Sequence, residues 1–422
     1  MIAALLLLER NQHMYKIYWI LFLTVFLEKG ISQCDYSKPQ YSFGSDKGLF
    51  YGLLPNYNGV PDSLFLDVYY PIGSPESSKP MVIWAFGGGF FQGVRQDFAP
   101  VCEELAVRGL ISVTIDYRIG FDSPAGLNPP FAYDKAEILR AAYRGVTDMK
   151  GAIRFMKAKN QEYGIDLDRV WIGGASAGSI VALNAAFLDK ESEKPIEVGA
   201  VKPIGTKQRP DLGSIEGTLN LNGYDTKVQG VFNFFGAVLD TNEIDPNDRI
   251  AVMSYHQTND PIVPCQAKTP YYQISFIAAN YPICYGTCMI DARFQRIGLD
   301  PVYYQSWIYP GSTHGTHDET AIVNFMLENA KPLLCKNITR VSDHSSNFAS
   351  AYISPNPSDN FIEIKNIYGL FDYSIFNLSG KLIRTNQSTS ENRIDVSSIQ
   401  VGMYLIRVKC NGESRTFKWF KS

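Results

Sequence analysis

Val170-Trp-Ile-Gly-Gly-Ala-Ser-Ala-Gly178 leads from a short apolar run of strand-forming residues into Ser179–Leu188, which reads as a helix. The pattern is Gly-x-Ser-x-Gly in a strand-turn-helix setting. A turn this tight holds its central serine at strained backbone angles, and a side chain at either flanking glycine would clash with the strand or the helix. The Ser176 hydroxyl is then presented at the carboxyl edge of a sheet, beside a helix N-terminus. The plain alternative is a glycine-rich turn that only packs.

The neighbouring segments fit that setting. Met81-Val-Ile-Trp-Ala-Phe86 reads as a buried strand, Phe98–Arg108 as a helix and Ile111–Ile115 as a strand. Arg144–Tyr163 is a long amphipathic helix with Val146, Met149, Ile153 and Met156 on one face. Val231–Phe235, Ile250–Tyr255 and Val302–Ile308 are further strands, and Glu319–Leu334 is a closing helix. Strand-helix alternation from Leu64 to Cys335 predicts an α/β fold, a mostly parallel sheet covered on both faces.

Ser176 needs a base, an acid and a place for developing negative charge. Phe86-Gly-Gly-Gly-Phe90 follows the first buried strand, and glycines there expose backbone N–H groups without side-chain obstruction. With the N–H of Ala177, those of the three glycines are the candidate oxyanion donors. Five histidines are present. His13 lies in the leader, His344 in a polar stretch, and His256 ends a strand, where a structural role is expected. Gly311-Ser-Thr-His-Gly-Thr-His317 remains, between the last core strand and the closing helix. His314, among small residues, is the preferred base; His317 reads as a capping or surface residue. The acid is expected between Ser176 and the histidine in chain order. Asp260, in Asn259-Asp-Pro-Ile-Val-Pro264, is preferred over Asp240 and Asp245, with turn initiation before Pro261 as its plain alternative.

The ends differ in texture from this core. Ile17–Leu27 is an 11-residue apolar run interrupted only by Thr24, short of the roughly 20 residues of a spanning helix. Lys16 precedes it, which is the layout of a secretory signal peptide over residues 1–33, and Met14 is an alternative start. Cys34 at the new N-terminus raises lipidation, but Gln33 departs from the small residue expected before a lipidated cysteine. Seven cysteines fit an exported protein and leave at least one unpaired. Cys284-Tyr-Gly-Thr-Cys288 offers a short local disulfide; read as a zinc site it lacks third and fourth ligands at finger spacing. After Cys335, Ser342–Ser350 is polar. Beyond it Phe361–Lys365, Tyr373–Phe376, Lys381–Arg384 and Tyr404–Lys409 alternate with period two, predicting a small β-sandwich. The expected divisions are residues 1–33, a catalytic domain 34–340, a linker 341–350 and a C-terminal domain 351–422. Apolar residues make up 45% and the net charge is −3, so the chain is globular and a poor nucleic-acid binder. No later stretch reaches membrane-spanning length.

Residues 50–335 resemble α/β-hydrolase carboxylesterases with a glycine-rich oxyanion loop. The matching stretches are Phe86–Phe90, Asp116-Tyr-Arg-Ile-Gly120, Asp148–Phe155 with Tyr163–Arg169, Gly174–Gly178, Asn259–Val263 and His314-Gly315. The resemblance implies Ser176 as nucleophile, Asp260 as acid and His314 as base, with oxyanion donors at Gly88, Gly89 and Ala177. It implies an ester substrate and neither a metal nor an organic cofactor. Many relatives carry histidine where Phe86 stands, so this loop is expected to be held differently. Ser354-Pro-Asn-Pro-Ser358, Ile375–Ile383, Val401-Gly-Met-Tyr404 and Thr416–Lys421 resemble type IX secretion sorting domains, implying that machinery as partner and a secreted or cell-surface location. An accessory, carbohydrate-binding β-sandwich is the alternative for this segment. A peptidase of the same fold and a non-catalytic binding protein compete with the esterase. Acetylated or feruloylated polysaccharide, polyester and lipid are all open as substrates. Asp189–Lys227 and the aromatic-rich Cys265–Pro301 are the stretches expected to shape the substrate site.

Overall fold

The computed structural model describes residues 34–335 except 127, and residues 352–422 except 366–369, 378, 379, 411 and 412. The expected leader, and the polar stretch 342–350, lie outside the described residues. The chain divides into two compact units, 1–336 and 337–422.

The first unit is built on an eight-stranded sheet: β1 Ser42–Pro55, β2 Pro61–Ile72, β3 Lys79–Ala85, β4 Ile111–Ile115, β5 Ile165–Ala175, β6 Gly230–Phe234, β7 Ala251–Gln257 and β8 Tyr304–Tyr309. Their spatial order is β1-β2-β4-β3-β5-β6-β7-β8. From β4 to β8 every pairing is parallel. The β1-β2 hairpin adds an antiparallel edge. The central strands read as near-continuous buried runs because helices cover both faces, so a polar residue on either side would be stranded from water.

Five longer helices do the covering: α1 Ala99–Val107, α2 Lys135–Ala158, α3 Ala177–Phe187, α4 Thr287–Arg296 and α5 Glu319–Leu334. Asp134 caps α2 by accepting from Glu137 N, and Asp318 caps α5 by accepting from Ala321 N. Helix α2 begins well before Arg144 and is buried on its polar face as well. Residues of the 189–228 insertion lie over that face. Lys150 Nζ donates to Leu188 O and Glu216 at 2.9 Å, Arg154 Nε to Leu219 O at 2.9 Å, and Lys157 Nζ to Asp225 at 2.6 Å. The amphipathic pattern remains, but its charged side meets protein carbonyls and carboxylates in place of solvent.

Two disulfides, Cys34–Cys335 and Cys265–Cys288, replace the local Cys284–Cys288 bridge offered by spacing. Cys284 is instead a buried free thiol, as is Cys102. Four residues of separation were a poor guide, because strand pairing sets Cys284 beside Lys268 and turns Cys288 toward Cys265. The Cys34 sulfur is also committed to Cys335, which leaves no thiol there for lipidation.

The second unit is all antiparallel. Its strands are β9 Tyr352–Ser354, β10 Phe361–Lys365, β11 Phe371–Asn377, β12 Leu382–Thr389, β13 Arg393–Asp395, β14 Gly402–Cys410 and β15 Glu413–Lys421. They form sheets ordered β9-β10-β13 and β12-β11-β14-β15. Alternate residues of β10, β11 and β14 point inward, and Ile362, Ile364, Ile375 and Ile406, with Trp419 of β15, form one core between the sheets.

Candidate active site

The carboxyl edge of β5, at the middle of the sheet, carries Ser176. Its backbone sits at φ 54°, ψ −120°, a conformation that non-glycine residues hold only when the surroundings over-determine it. The surroundings do so here. Ser176 N donates to Phe234 O at 2.9 Å, and Ser176 O accepts from Ile180 N at 3.0 Å, opening α3. A Cβ at Gly178 would fall 2.1 Å from Ala85 O, so only glycine lets α3 approach β3 this closely.

His314 and Asp260 come to the same point from the loops after β8 and β7. Ser176 Oγ donates to His314 Nε2 at 2.7 Å, and His314 Nδ1 donates to Asp260 Oδ2 at 2.7 Å, with the ring tautomer assigned from these partners. Asp260 is 1% exposed. Its Oδ1 accepts from the backbone N–H groups of Ile262 (2.8 Å) and Val263 (3.1 Å), so both carboxylate oxygens are bonded in fixed directions. Phe235, itself at φ 45°, sets its ring edge-on to His314 at 4.8 Å.

The glycine-rich loop runs past Ser176 from the end of β3. Gly88 adopts φ +112°, and a Cβ there would meet Gln92 O at 2.2 Å. Gly88 O accepts from Phe91 N and Gln92 N, closing the loop on itself. Phe86 stacks on Tyr117 with ring centroids 4.4 Å apart, and Tyr117 Oη donates to Phe86 O at 2.9 Å. That ring contact and hydrogen bond hold the start of the loop. Ala177 N lies at the first turn of α3, where helix N–H groups lack intrahelical partners.

The remaining candidates go elsewhere. His317 stacks on Tyr309 at 3.8 Å and its Nδ1 bonds Tyr255 Oη at 2.8 Å. Asp240 caps a short turn through Asn242 N, and Asp245 pairs with Lys190. Tyr271 stands next to Gly89, between Phe131 and Tyr281, whereas Tyr281 is core packing and Phe276 is exposed.

Five supporting residues, His256, Thr287, Asn233, Ser179 and Gln257, are not singled out for the site by sequence. His256 Nε2 donates to Val263 O at 2.8 Å, bracing the Asp260 turn, and lies 3.6 Å from Asp260 Oδ2. Burial pushes its pKa down to about 4, so it is neutral at pH 7. Its Nδ1 bonds Thr287 Oγ1, which also accepts from Asn233 Nδ2. Asn233 Oδ1 accepts from Ser179 Oγ at 2.6 Å. A buried polar chain therefore connects the helix behind Ser176 to the turn behind Asp260. Gln257 braces the other loop: Oε1 accepts from Thr313 N at 2.9 Å and Nε2 donates to Gly315 O at 3.0 Å, on either side of His314.

Residues 32–194 match the Carboxylesterase family, 140–285 match BD-FAE, and 352–422 match the Secretion system C-terminal sorting domain. The chain is 31% identical over 156 residues to bile salt-activated lipase of Bos taurus, covering 34% of this chain and 23% of that protein. It is 31% identical over 130 residues to para-nitrobenzyl esterase of Bacillus subtilis, covering 29% of this chain and 24% of that one. Fumonisin B1 esterase of Sphingopyxis macrogoltabida is 27% identical over 161 residues, covering 37% of this chain and 29% of its own length. The chain thus spans less than a third of each of these relatives. Among solved structures, Thermogutta terrifontis esterase 2 phosphoramylated by tabun aligns over 69% of this chain and 94% of its own, at 17% identity and TM-score 0.42. The chain joins an α/β-hydrolase domain that resembles carboxylesterases to a small all-β, secretion-system C-terminal sorting domain.

Proposed function

We propose that the protein is an exported serine carboxylesterase acting through Ser176, His314 and Asp260. The observation that carries the reading is the unbroken line of two 2.7 Å hydrogen bonds from the Ser176 hydroxyl through the His314 ring to the Asp260 carboxylate. His314 takes the Ser176 proton as Oγ attacks the ester carbonyl. The carbonyl electrons move onto oxygen, and the N–H groups of Gly88, Gly89 and Ala177 receive that charge. Asp260 fixes the tautomer and stabilises the imidazolium. Collapse of the intermediate expels the alcohol, which takes its proton from His314 and leaves an acyl group on Ser176. Water, deprotonated by His314, then attacks the acyl carbon and releases the acid. The sorting domain supports secretion or a cell-surface location, and export begins at a signal peptide within residues 1–33.

The test is hydrolysis of p-nitrophenyl acetate, butyrate and octanoate by the chain from Cys34 to Ser422, beside Ser176→Ala and beside peptidyl p-nitroanilides. Ester turnover that vanishes in the variant is expected. Folded protein that releases nitroaniline but no nitrophenol would move the reading to a peptidase, and inactivity on both would overturn it.

A further inference from the structure

Arg118 and Asp122 line a cavity of about 490 Å³. None of Ser176, His314, Asp260, Gly88 or Gly89 lines it. Five cationic side chains do: Arg118, Arg140, Arg144, Lys207 and Arg209.

Their partners divide them into two groups. Arg118 is bound bidentately by Asp148. Arg209 pairs with Asp134 and Glu137, and Lys207 with Asp122. The other acid on the wall, Asp211, pairs with Lys194. That leaves two guanidiniums whose recorded hydrogen bonds go to neutral carbonyls. Arg140 donates to the backbone oxygens of Glu197, Gly199 and Pro210. Arg144 donates through Nη2 to Gly120 O alone. Both are 4% exposed, and Arg144 Nε has no hydrogen-bond partner among the described residues.

A guanidinium stays charged in a protein, and burying it beside others of like charge costs free energy unless an anion answers it. Arg118 and Arg140 both add to the burial that pushes Arg144 down to about 10, which still leaves it a full cation at pH 7. Glu137 and Asp148 offset part of this field, but each already bonds another arginine. Two buried guanidiniums without a carboxylate of their own, in a wall that also carries Gln208, make a receptor for a planar or tetrahedral oxygen anion.

We propose that this cavity is an oxyanion-binding site, taking a carboxylate or phosphate group against Arg144 and Arg140. The group arrives either as a free ion or as part of a larger substrate. The site also touches the catalytic side. Arg144 holds Gly120 O, while Gly120 N donates to Phe90 O at 2.6 Å at the end of the glycine-rich loop.

The experiment is calorimetric titration of the chain from Cys34 to Ser422, in its Ser176→Ala form, with inorganic phosphate and with citrate. Sodium chloride at matched ionic strength is the reference. Saturable binding is expected with at least one of the two anions. Because the Ser176→Ala form is used, the result stands apart from the esterase reading. Arg144→Gln is expected to weaken binding at least tenfold. Gln208→Glu puts a negative charge at an exposed position on the rim and is expected to weaken it severalfold without disturbing the interior, which covers the case in which Arg144→Gln does not fold. With Ser176 intact, inhibition by the anion of hydrolysis of an ester bearing a carboxylate, but not of its neutral counterpart, would assign the site to substrate. Binding that leaves both substrates unaffected would assign it to a free ion. No saturable heat with either anion in folded protein, or equal binding by the Gln208→Glu form, would overturn the proposal.

Discussion

Asp260→Asn is the sharpest test of the proposed mechanism, because the surrounding backbone decides which way the new amide must face. Asp260 Oδ1 accepts two backbone N–H groups, from Ile262 and Val263, and Oδ2 faces His314 Nδ1. An asparagine here has one oxygen and one NH2. Placing the NH2 toward Ile262 and Val263 would set three donors against each other. The oxygen therefore takes the Oδ1 place and the NH2 faces His314. The ring then answers as an acceptor at Nδ1, its proton moves to Nε2, and Nε2 can no longer take the Ser176 proton. Restoring the working tautomer means losing a hydrogen bond to a charged group, about 1.5–3 kcal/mol, and leaving facing donors unsatisfied, about 1–3 kcal/mol. The sum, about 2.5–6 kcal/mol, corresponds to a loss of roughly 10²–10⁴ in kcat, whose upper end is what this substitution costs in serine proteases. KM should change little, because the bond acts on the base and not on bound ester. Steady-state hydrolysis of p-nitrophenyl butyrate at pH 7, with circular dichroism to verify the fold, gives the answer. A loss of less than about tenfold in folded protein would refute the assignment of Asp260.

Other outcomes follow from the packing. Gly178→Ala sets a Cβ 2.1 Å from Ala85 O, where ordinary contact begins near 3.4 Å; the first turn of α3 must shift by about 1 Å, costing about 10²-fold in kcat, whereas Gly315→Ala, with nothing within 4 Å, should stay near wild type in the same assay. Glu243 is buried, with Oε2 lacking a partner among the described residues, and burial raises its pKa from 4.5 to about 8. The folded state therefore holds a proton that the unfolded state gives up, so stability falls as pH rises from about 4.5 to 8, by up to about 1.4 kcal/mol per unit; Glu243→Gln should flatten that slope in urea titrations at pH 5 and pH 8, and an unchanged slope would count against it. Cys335→Ser opens a bridge between residues 301 apart and should cost on the order of 5 kcal/mol by chain entropy, against about 3 kcal/mol for Cys288→Ser with a separation of 23. Denaturant midpoints of the two variants should rank in that order.

What the chain discloses before folding is local. The elbow at Gly174–Gly178 is legible because its glycines are demanded by contacts with the next few residues and the adjacent strand. His314 was found by excluding four other histidines, and Asp260 by chain order. The β1-β2 hairpin was not foreseen upstream of Leu64. Ser42–Pro55 carries three glycines and charges on a half-exposed edge, so period two is weak there. Gln257 was missed as a support, and His256 was read as structural with no link to the Asp260 turn, because each acts on a loop brought near only by the sheet. The pairing of Cys265 with Cys288, and the burial of the charged face of α2, likewise depend on segments distant in sequence. Polar side chains that meet carbonyls of a remote insertion look, in one dimension, like a wet surface.

The Cys34–Cys335 bond bears on how the protein withstands traction. It ties the first described residue of the hydrolase unit to the last one before the sequence leading to the sorting domain. Tension applied to the chain beyond Cys335 would reach Cys335 and divide there. One path runs back through α5, held by hydrogen bonds and side-chain packing; the other crosses a covalent bond to Cys34. Unwinding α5 alone cannot lengthen the route between the two ends. The bridge acts as a mechanical stop, so tension on the segment after Cys335 leaves the hydrolase unit closed.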